Sequence, residues 1–206
     1  MKFNFTKRER RDLAKSWLLV SLAFALFIAG IGFTTGHLVL FAFSLAAAAV
    51  TVGIGFLAHE LSHKWVAHKY DCYAEYRSDN FMLVVSLVLS LFRVFIAAPG
   101  AVHISGHADH EQSGKIGLAG PAANIILALV FLPLFFLLTN PIWRNVVGLG
   151  AIANSYLAVF NLLPFGFFDG AKVFAWNKAW YAVAIITSVL LMFASFMLVQ
   201  SVMGLF

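Results

Sequence analysis

Three residues at the end of a long apolar stretch have the types and the spacing of a metal site. His59, Glu60 and His63 form the pattern H-E-x-x-H within FLAHELSHKWVAHKY, residues 56–70. On an α-helix, residues four apart lie on one face, so both imidazoles can reach one metal ion while Glu60 lies one position round. This is the arrangement of two zinc ligands and a general base, and the chemistry it predicts is peptide hydrolysis.

The surroundings of this motif argue against a chance match. Residues 38–58 contain no charged side chain, and a charged group at membrane depth costs about 2.5 to 3.5 kcal/mol on insertion scales. An ionisable residue in such a place therefore indicates a function. His68 lies nine residues beyond His59 and so on the opposite side of the helix, and we do not expect it to bind the metal.

Composition predicts an integral membrane protein. Of 206 residues, 62% are hydrophobic and only 11% are charged, which is far too apolar for a soluble domain of this length. The single cysteine, Cys72, excludes an internal disulfide and a thiolate metal site. The net charge of +5 does not indicate nucleic acid, because the basic residues separate apolar segments and form no patch.

Apolar stretches of about 20 residues, the length that crosses a bilayer, predict an all-α polytopic fold in one domain, residues 1–206. We expect five or six transmembrane helices, with five at residues 17–33, 38–67, 116–138, 146–168 and 180–206. The sixth stretch, residues 81–98, is borderline because it contains Arg93. Within the domain we expect a basic leader, a catalytic core and a final helix at residues 1–16, 38–175 and 180–206.

Lysine and arginine positions predict the orientation of these helices. If the amino terminus is cytoplasmic and residues 81–98 do not cross, every basic residue except Arg144 faces the cytoplasm. If residues 81–98 do cross, Lys115, Lys172 and Lys178 move outside and the asymmetry weakens. We therefore expect five crossings in the cell membrane, with residues 81–98 re-entrant or interfacial.

A catalytic zinc site needs a third protein ligand, and the sequence offers three candidates. Glu75 and Asp79 resemble the E-x-x-x-D of membrane zincins of the prenyl-protein protease type, but only eleven residues separate Glu75 from His63. A polar loop could also supply a ligand, through His103, His107, Asp109 or His110. The third candidate is Asp169, an acid at the end of an apolar segment, where irregular backbone requires protein or water around it.

Three stretches together resemble the site-2 protease family of intramembrane zinc metalloproteases. They are HELSH, GPAAN at residues 120–124 and NLLPFGFFDG at residues 161–170. Their order and spacing are similar to the H-E-x-x-H, G-P-x-x-N and N-x-x-P-x-x-x-x-D-G elements of that family. The resemblance covers about residues 38–175, and we expect no PDZ or CBS module in this chain.

The resemblance implies a role for each matching residue. One zinc ion would be bound by His59, His63 and Asp169, with Glu60 as the base. Asn124 and Asn161 would line the site and contact the substrate backbone. A β-like segment between the H-E-x-x-H and G-P-x-x-N helices, at residues 98–104, would offer its edge to an unwound substrate.

The implied function is hydrolysis of a peptide bond within or near a transmembrane segment of a membrane-anchored protein. The expected partners are that substrate and the lipid bilayer, without nucleic acid, and the oligomeric state stays open. Asp169 must reach the cytoplasmic end of its helix to join the histidines, which again requires that residues 81–98 do not cross.

Two other classes of protein fit less well. A metal-ion transporter would need polar residues along several spans, and the other spans here are nearly bare. A di-iron oxidase would need two or more E-x-x-H elements, and Glu60 to His63 supplies one.

Overall fold

The computed structural model describes residues 4–29, 38–96 and 99–203, which form eight helices and two strands. In chain order these are α1 (Lys7–Ala29), α2 (Leu38–Val50), α3 (Val52–Lys69), β1 (Tyr73–Ser78), α4 (Asn80–Leu91), β2 (Gly100–Ser105), α5 (His110–Leu137), α6 (Pro141–Asn161), α7 (Asp169–Trp176) and α8 (Lys178–Met203). Four predicted boundaries lie outside the described residues: the start of the leader and the positions 33, 98 and 206.

Four of the described helical segments are long and apolar enough to cross a membrane. They are Lys7–Ala29, Leu38–Lys69, which combines α2 and α3, His110–Leu137 and Lys178–Ser201. The predicted helical membrane fold is confirmed at this level, by the length and composition of these helices.

Two predicted boundaries differ from the structure. α1 begins at Lys7, inside the predicted leader, because the leader residues continue the helix of the first span. The span predicted at residues 146–168 corresponds to α6, which begins earlier and ends at Asn161, before Pro164. α6 is not among the four segments above, so the number of five crossings stays a prediction.

A two-stranded antiparallel sheet lies between α3 and α5 in the sequence. β1 pairs with β2 from Tyr73 opposite Ser105 to Ser78 opposite Gly100. α4 lies between the strands, and its 12 residues have a length of about 18 Å, short of the roughly 30 Å hydrocarbon core. Since Ser78 and Gly100 are paired, the segment that contains α4 leaves the sheet and returns to it at the same place.

α5 is the central helix, and it packs against α3, α6 and α7. It begins with a capping box, in which the Asp109 carboxylate accepts from the Gln112 backbone and the Gln112 side chain accepts from the Asp109 backbone. Glycines on its inner face allow close approach of the neighbouring helices. This packing brings the carboxyl-terminal half of α3 and the start of α7 to the same part of α5.

A buried ion pair attaches α1 to α3 and β1. The side chains of Glu9 and Lys64 are 1% and 6% exposed, and Lys64 Nζ lies 2.5 Å from Glu9 Oε2. Glu9 Oε1 also accepts from the Tyr76 backbone N–H at 3.1 Å, and Lys64 donates to the Asn4 carbonyl at 2.9 Å. Because Lys64 follows His63, this pair holds the first helix directly behind the metal-binding motif.

We predict that Glu9→Gln strongly destabilises the protein, because it removes the negative charge that lies against the buried Lys64 ammonium. The expected loss is about 3 to 5 kcal/mol in the free energy of unfolding, measured by denaturant titration in detergent micelles. Glu111→Gln is the control, since Glu111 pairs with Lys115 on an exposed surface and should cost no more than about 1 kcal/mol. Equal, small losses in both variants would contradict this interpretation of the buried pair.

Candidate metal centre

The two histidines of the motif lie together in α3. Both are buried, and their Nε2 atoms are 3.0 Å apart. The four-residue spacing puts the imidazoles one turn apart on the face of α3 that packs against α5. This is the arrangement expected from the sequence.

Helix α5 holds each imidazole by its other nitrogen. His59 Nδ1 lies 2.7 Å from Asn124 Oδ1, and His63 Nδ1 lies 2.7 Å from the Ile116 carbonyl oxygen. A carbonyl oxygen can only accept, so the hydrogen of each neutral ring is on Nδ1. Both Nε2 atoms therefore carry a lone pair, and both point toward the same region.

Gly120 lies between these two attachments on α5. A Cβ at this position would lie 2.3 Å from His63 Nε2 and 2.6 Å from His59 Nε2. The spacing of four residues puts Ile116, Gly120 and Asn124 on one face of α5. Ile116 and Asn124 accept from the two imidazoles, and Gly120 leaves space for the rings between them. Only glycine leaves the imidazoles in place.

Asp169, the first residue of α7, completes the group. Its Oδ2 lies 3.3 Å from His59 Nε2 and 2.9 Å from His63 Nε2, with the side chain 12% exposed. Its other oxygen, Oδ1, accepts from Lys172 Nζ at 3.1 Å. Gly170 lets α7 approach α6 here, because a Cβ would lie 2.2 Å from the Leu162 carbonyl oxygen.

The three converging atoms fit a zinc ion. Two imidazole lone pairs and a carboxylate oxygen repel one another unless a cation lies between them. Tetrahedral bonds of about 2.0 to 2.2 Å put zinc ligand atoms roughly 3.3 Å apart, close to the 2.9 to 3.3 Å separations here. Three protein ligands leave a fourth position for water or substrate, as in catalytic zinc sites.

The other candidate third ligands are engaged elsewhere. Glu75 accepts hydrogen bonds from the Thr6 hydroxyl and from Arg77, and the Thr6 bond lowers the pKa of Glu75 most. Asp79 caps α4 by accepting from two backbone N–H groups. Within the described part of the chain, His59, His63 and Asp169 form the one group of three ligating side chains compact enough for a metal, and the loop histidines are not part of it.

A cavity of about 610 Å³ opens onto this group. Glu60, buried in α3, lines it beside the two histidines and Asp169. β2 and Asn161 also line it, and Asn161 donates to the Leu157 carbonyl at 2.9 Å. The predicted contact of Asn161 with a substrate stays a prediction.

Asn124 has a different set of contacts from the one that the sequence suggested. It is fully buried, its oxygen faces His59, and its amide nitrogen donates to the Gly55 carbonyl and to Asn154 Oδ1. Asn124 also lines the cavity, and its predicted contact with a substrate stays a prediction. These contacts favour a role behind the metal ligand.

Two residues at the centre were not found from the sequence. Lys172 stands three residues after Asp169, a spacing that puts both side chains on one side of a helix and could have indicated the contact. Asn154 is an uncharged polar residue within an apolar helix, and such residues are themselves a signal in membrane proteins.

Fold and site together define a membrane protein with a group of His59, His63 and Asp169 that could hold a metal ion. A relative from Methanocaldococcus jannaschii, named "Putative zinc metalloprotease MJ0611", is 37% identical over 184 residues, which are 88% of this chain and 91% of the relative. The chain belongs to the same family of zinc metalloproteases. No protein-family model matches the chain, and no solved structure matches it. The narrower resemblance to site-2 proteases stays a prediction.

We predict that Gly120→Ala weakens zinc binding about 10- to 100-fold, the range found when groups around metal ligands are disturbed. The added methyl group would displace both imidazoles from their present positions. Zinc affinity is measured by competition with a chromophoric chelator.

The control is Gly148→Ala, which adds a methyl group 2.9 Å from the Phe135 ring, away from the metal ligands. It should lower stability and keep the zinc affinity. Unchanged zinc binding in Gly120→Ala would contradict the described geometry.

Proposed function

We propose that this protein is an intramembrane zinc metalloprotease, which hydrolyses a peptide bond within or near a transmembrane segment of a membrane-anchored protein. The observation that carries the proposal is the convergence of two imidazole nitrogens and one carboxylate oxygen within a helical segment long and apolar enough to cross a membrane. The family of the M. jannaschii zinc metalloprotease supports the same reaction. A bound zinc ion would supply a Lewis acid that acidifies water and polarises the peptide carbonyl.

Glu60 is the general base in this proposal. It follows His59 on α3 and lines the same cavity as the ligands, so its carboxylate can accept a proton from water there and pass it to the departing amine. Lys172 holds Asp169 Oδ1 and so keeps Oδ2 directed at the histidines. The chain thus provides one group for proton transfer and a fixed set of groups for the metal.

The substrate would bind along β2. This strand pairs with β1 on one edge, and its residues Gly100–Ile104 line the cavity that contains Glu60. A transmembrane helix must lose its own hydrogen bonds before a peptide bond can be cut, and strand addition to β2 would replace them. Asn161, which also lines the cavity, supports the same substrate path.

We predict that Glu60→Gln binds zinc with nearly unchanged affinity and loses cleavage of transmembrane peptides by at least 100-fold, because the amide cannot accept the proton. Cleavage is measured with a panel of transmembrane peptides in detergent, and zinc by metal analysis of the same samples.

Glu111→Gln, an exposed substitution in the first turn of α5, is the matched control and should cleave normally. If the Glu60 variant still cleaves at the full rate and chelators do not inhibit it, the proposed mechanism is wrong. Zinc transport into vesicles without peptide cleavage would instead favour a metal-ion transporter.

We further propose five crossings, with α6 as the fourth and with α4 returning to the side from which it came. The pairing of Ser78 with Gly100 and the short length of α4 support the return. With this number of crossings, the distribution of lysine and arginine places the amino terminus and the opening of the active site in the cytoplasm and Arg144 outside.

Labelling of single cysteines in whole cells tests this topology. In a Cys72→Ser background, we predict that a membrane-impermeant maleimide modifies Thr139→Cys, between α5 and α6, and not His107→Cys, between β2 and α5. Both positions are exposed, so breaking the cells should make His107→Cys reactive as well. The reverse pattern would invert the proposed orientation.

A further inference from the structure

Asn154 is a buried amide in the middle of α6, outside every motif that the sequence analysis singled out. Its side chain is completely buried, and it lies where α6 meets α5. A buried polar group is normally hydrogen-bonded. The hydrogen bonds of Asn154 connect α6, through Asn124, to His59.

The partners of Asn154 fix the direction of its amide. Its Nδ2 donates to the Gly150 carbonyl oxygen at 2.9 Å, and a carbonyl oxygen can only accept. Its Oδ1 is therefore the atom that faces Asn124, and it accepts from Asn124 Nδ2 at 3.0 Å.

The direction of Asn124 follows in the same way. Asn124 Nδ2 faces two acceptors, Asn154 Oδ1 and the Gly55 carbonyl oxygen at 3.1 Å. Its two amide hydrogens satisfy both of them. Asn124 Oδ1 is left for His59 Nδ1, which lies 2.7 Å away.

We propose that Asn154 is a positioning residue for the metal centre, because it orients Asn124 and thereby keeps the ring hydrogen of His59 on Nδ1. The inference rests on the proposed metal site. A reversed Asn124 amide would donate to His59 Nδ1, move the hydrogen to Nε2 and so block the ligand atom. The reversal would also set the Asn124 oxygen against two acceptor oxygens, and Asn154 supplies one of them.

His59 and His63 differ in the kind of group that accepts the hydrogen of Nδ1. His63 donates to a backbone carbonyl, that of Ile116, which no side-chain substitution removes. His59 depends on two side chains in series. Disturbing Asn154 should therefore affect the His59 tautomer and leave His63 unchanged.

The first experiment records nitrogen NMR spectra of the zinc-free protein, labelled at histidine, in detergent micelles at a pH where the rings are neutral. The resonances of His59 are identified by their loss in His59→Gln. The inference predicts that His59 is the Nδ1–H tautomer in the unchanged protein. A dominant Nε2–H tautomer would overturn it, whether or not any Asn154 variant folds.

The second experiment compares zinc affinity among variants of α6. Asn154→Leu removes the oxygen that accepts from Asn124. It should weaken zinc binding about tenfold, the lower end of the range for groups that support a metal ligand. His59 alone should then show a mixture of the Nδ1–H and Nε2–H tautomers. Asn154→Asp keeps an accepting oxygen in either protonation state and should restore most of the affinity.

Ser155→Ala is the matched control, because Ser155 is equally buried and its hydroxyl bonds only to carbonyls of its own helix among the contacts described. It should change stability without changing zinc affinity or the His59 spectrum. Equal affinity in Asn154→Leu and the unchanged protein, or equal weakening in Ser155→Ala, would overturn the inference. Absence of zinc binding in the unchanged protein would instead overturn the proposed function.

Discussion

The metal centre depends on one contact, the packing of α3 against α5 through the Nδ1 atoms of two histidines. Asn124 and the Ile116 carbonyl take these hydrogens, which leaves both Nε2 atoms bare and 3.0 Å apart. Asp169 adds a carboxylate oxygen to the same point. With both rings neutral, the three lone pairs repel one another, and a divalent cation would relieve that repulsion.

The remaining elements keep this arrangement fixed. Gly120 gives the imidazoles room, and the Gly170 backbone lets α7 bring Asp169 against the end of α6. Behind α3, the buried pair of Glu9 and Lys64 connects the motif to the first helix and to β1. Each of the two histidines and Asp169 has a second polar contact inside the protein, which fixes the direction of its side chain.

Much of the centre could be predicted from the sequence, because it depends on residues close together in the chain and on motifs that occur together. The four-residue spacing of His59 and His63 needs only helix geometry, and the apolar residues before them indicate membrane depth. The position of Asp169 after an apolar segment made it a candidate for the third zinc ligand. Choosing it over Glu75 required the joint occurrence of the three motifs HELSH, GPAAN and NLLPFGFFDG.

The parts that sequence reasoning missed depend on contacts between distant elements. Asn154 lies outside the three motifs, and only the packing of α6 against α5 reveals that its amide oxygen accepts from Asn124. The end of α6 was placed seven residues too late, at 168 instead of Asn161, because the apolar residues after Leu162 continue the hydropathy of the helix although they form a loop. Hydropathy reports the environment of a residue, and it does not report whether the backbone there is helical.

X-ray absorption spectroscopy of zinc-loaded protein determines the ligand set, because the spectrum counts imidazole ligands. The sample should be a variant that keeps His59 and His63 and replaces the other five of the seven histidines with glutamine: His37, His68, His103, His107 and His110. We predict two imidazoles, with oxygen for the remaining ligands, at about 2.0 to 2.2 Å, and the same spectrum as that of the unchanged protein. A third imidazole in the unchanged protein that disappears from this variant would contradict it.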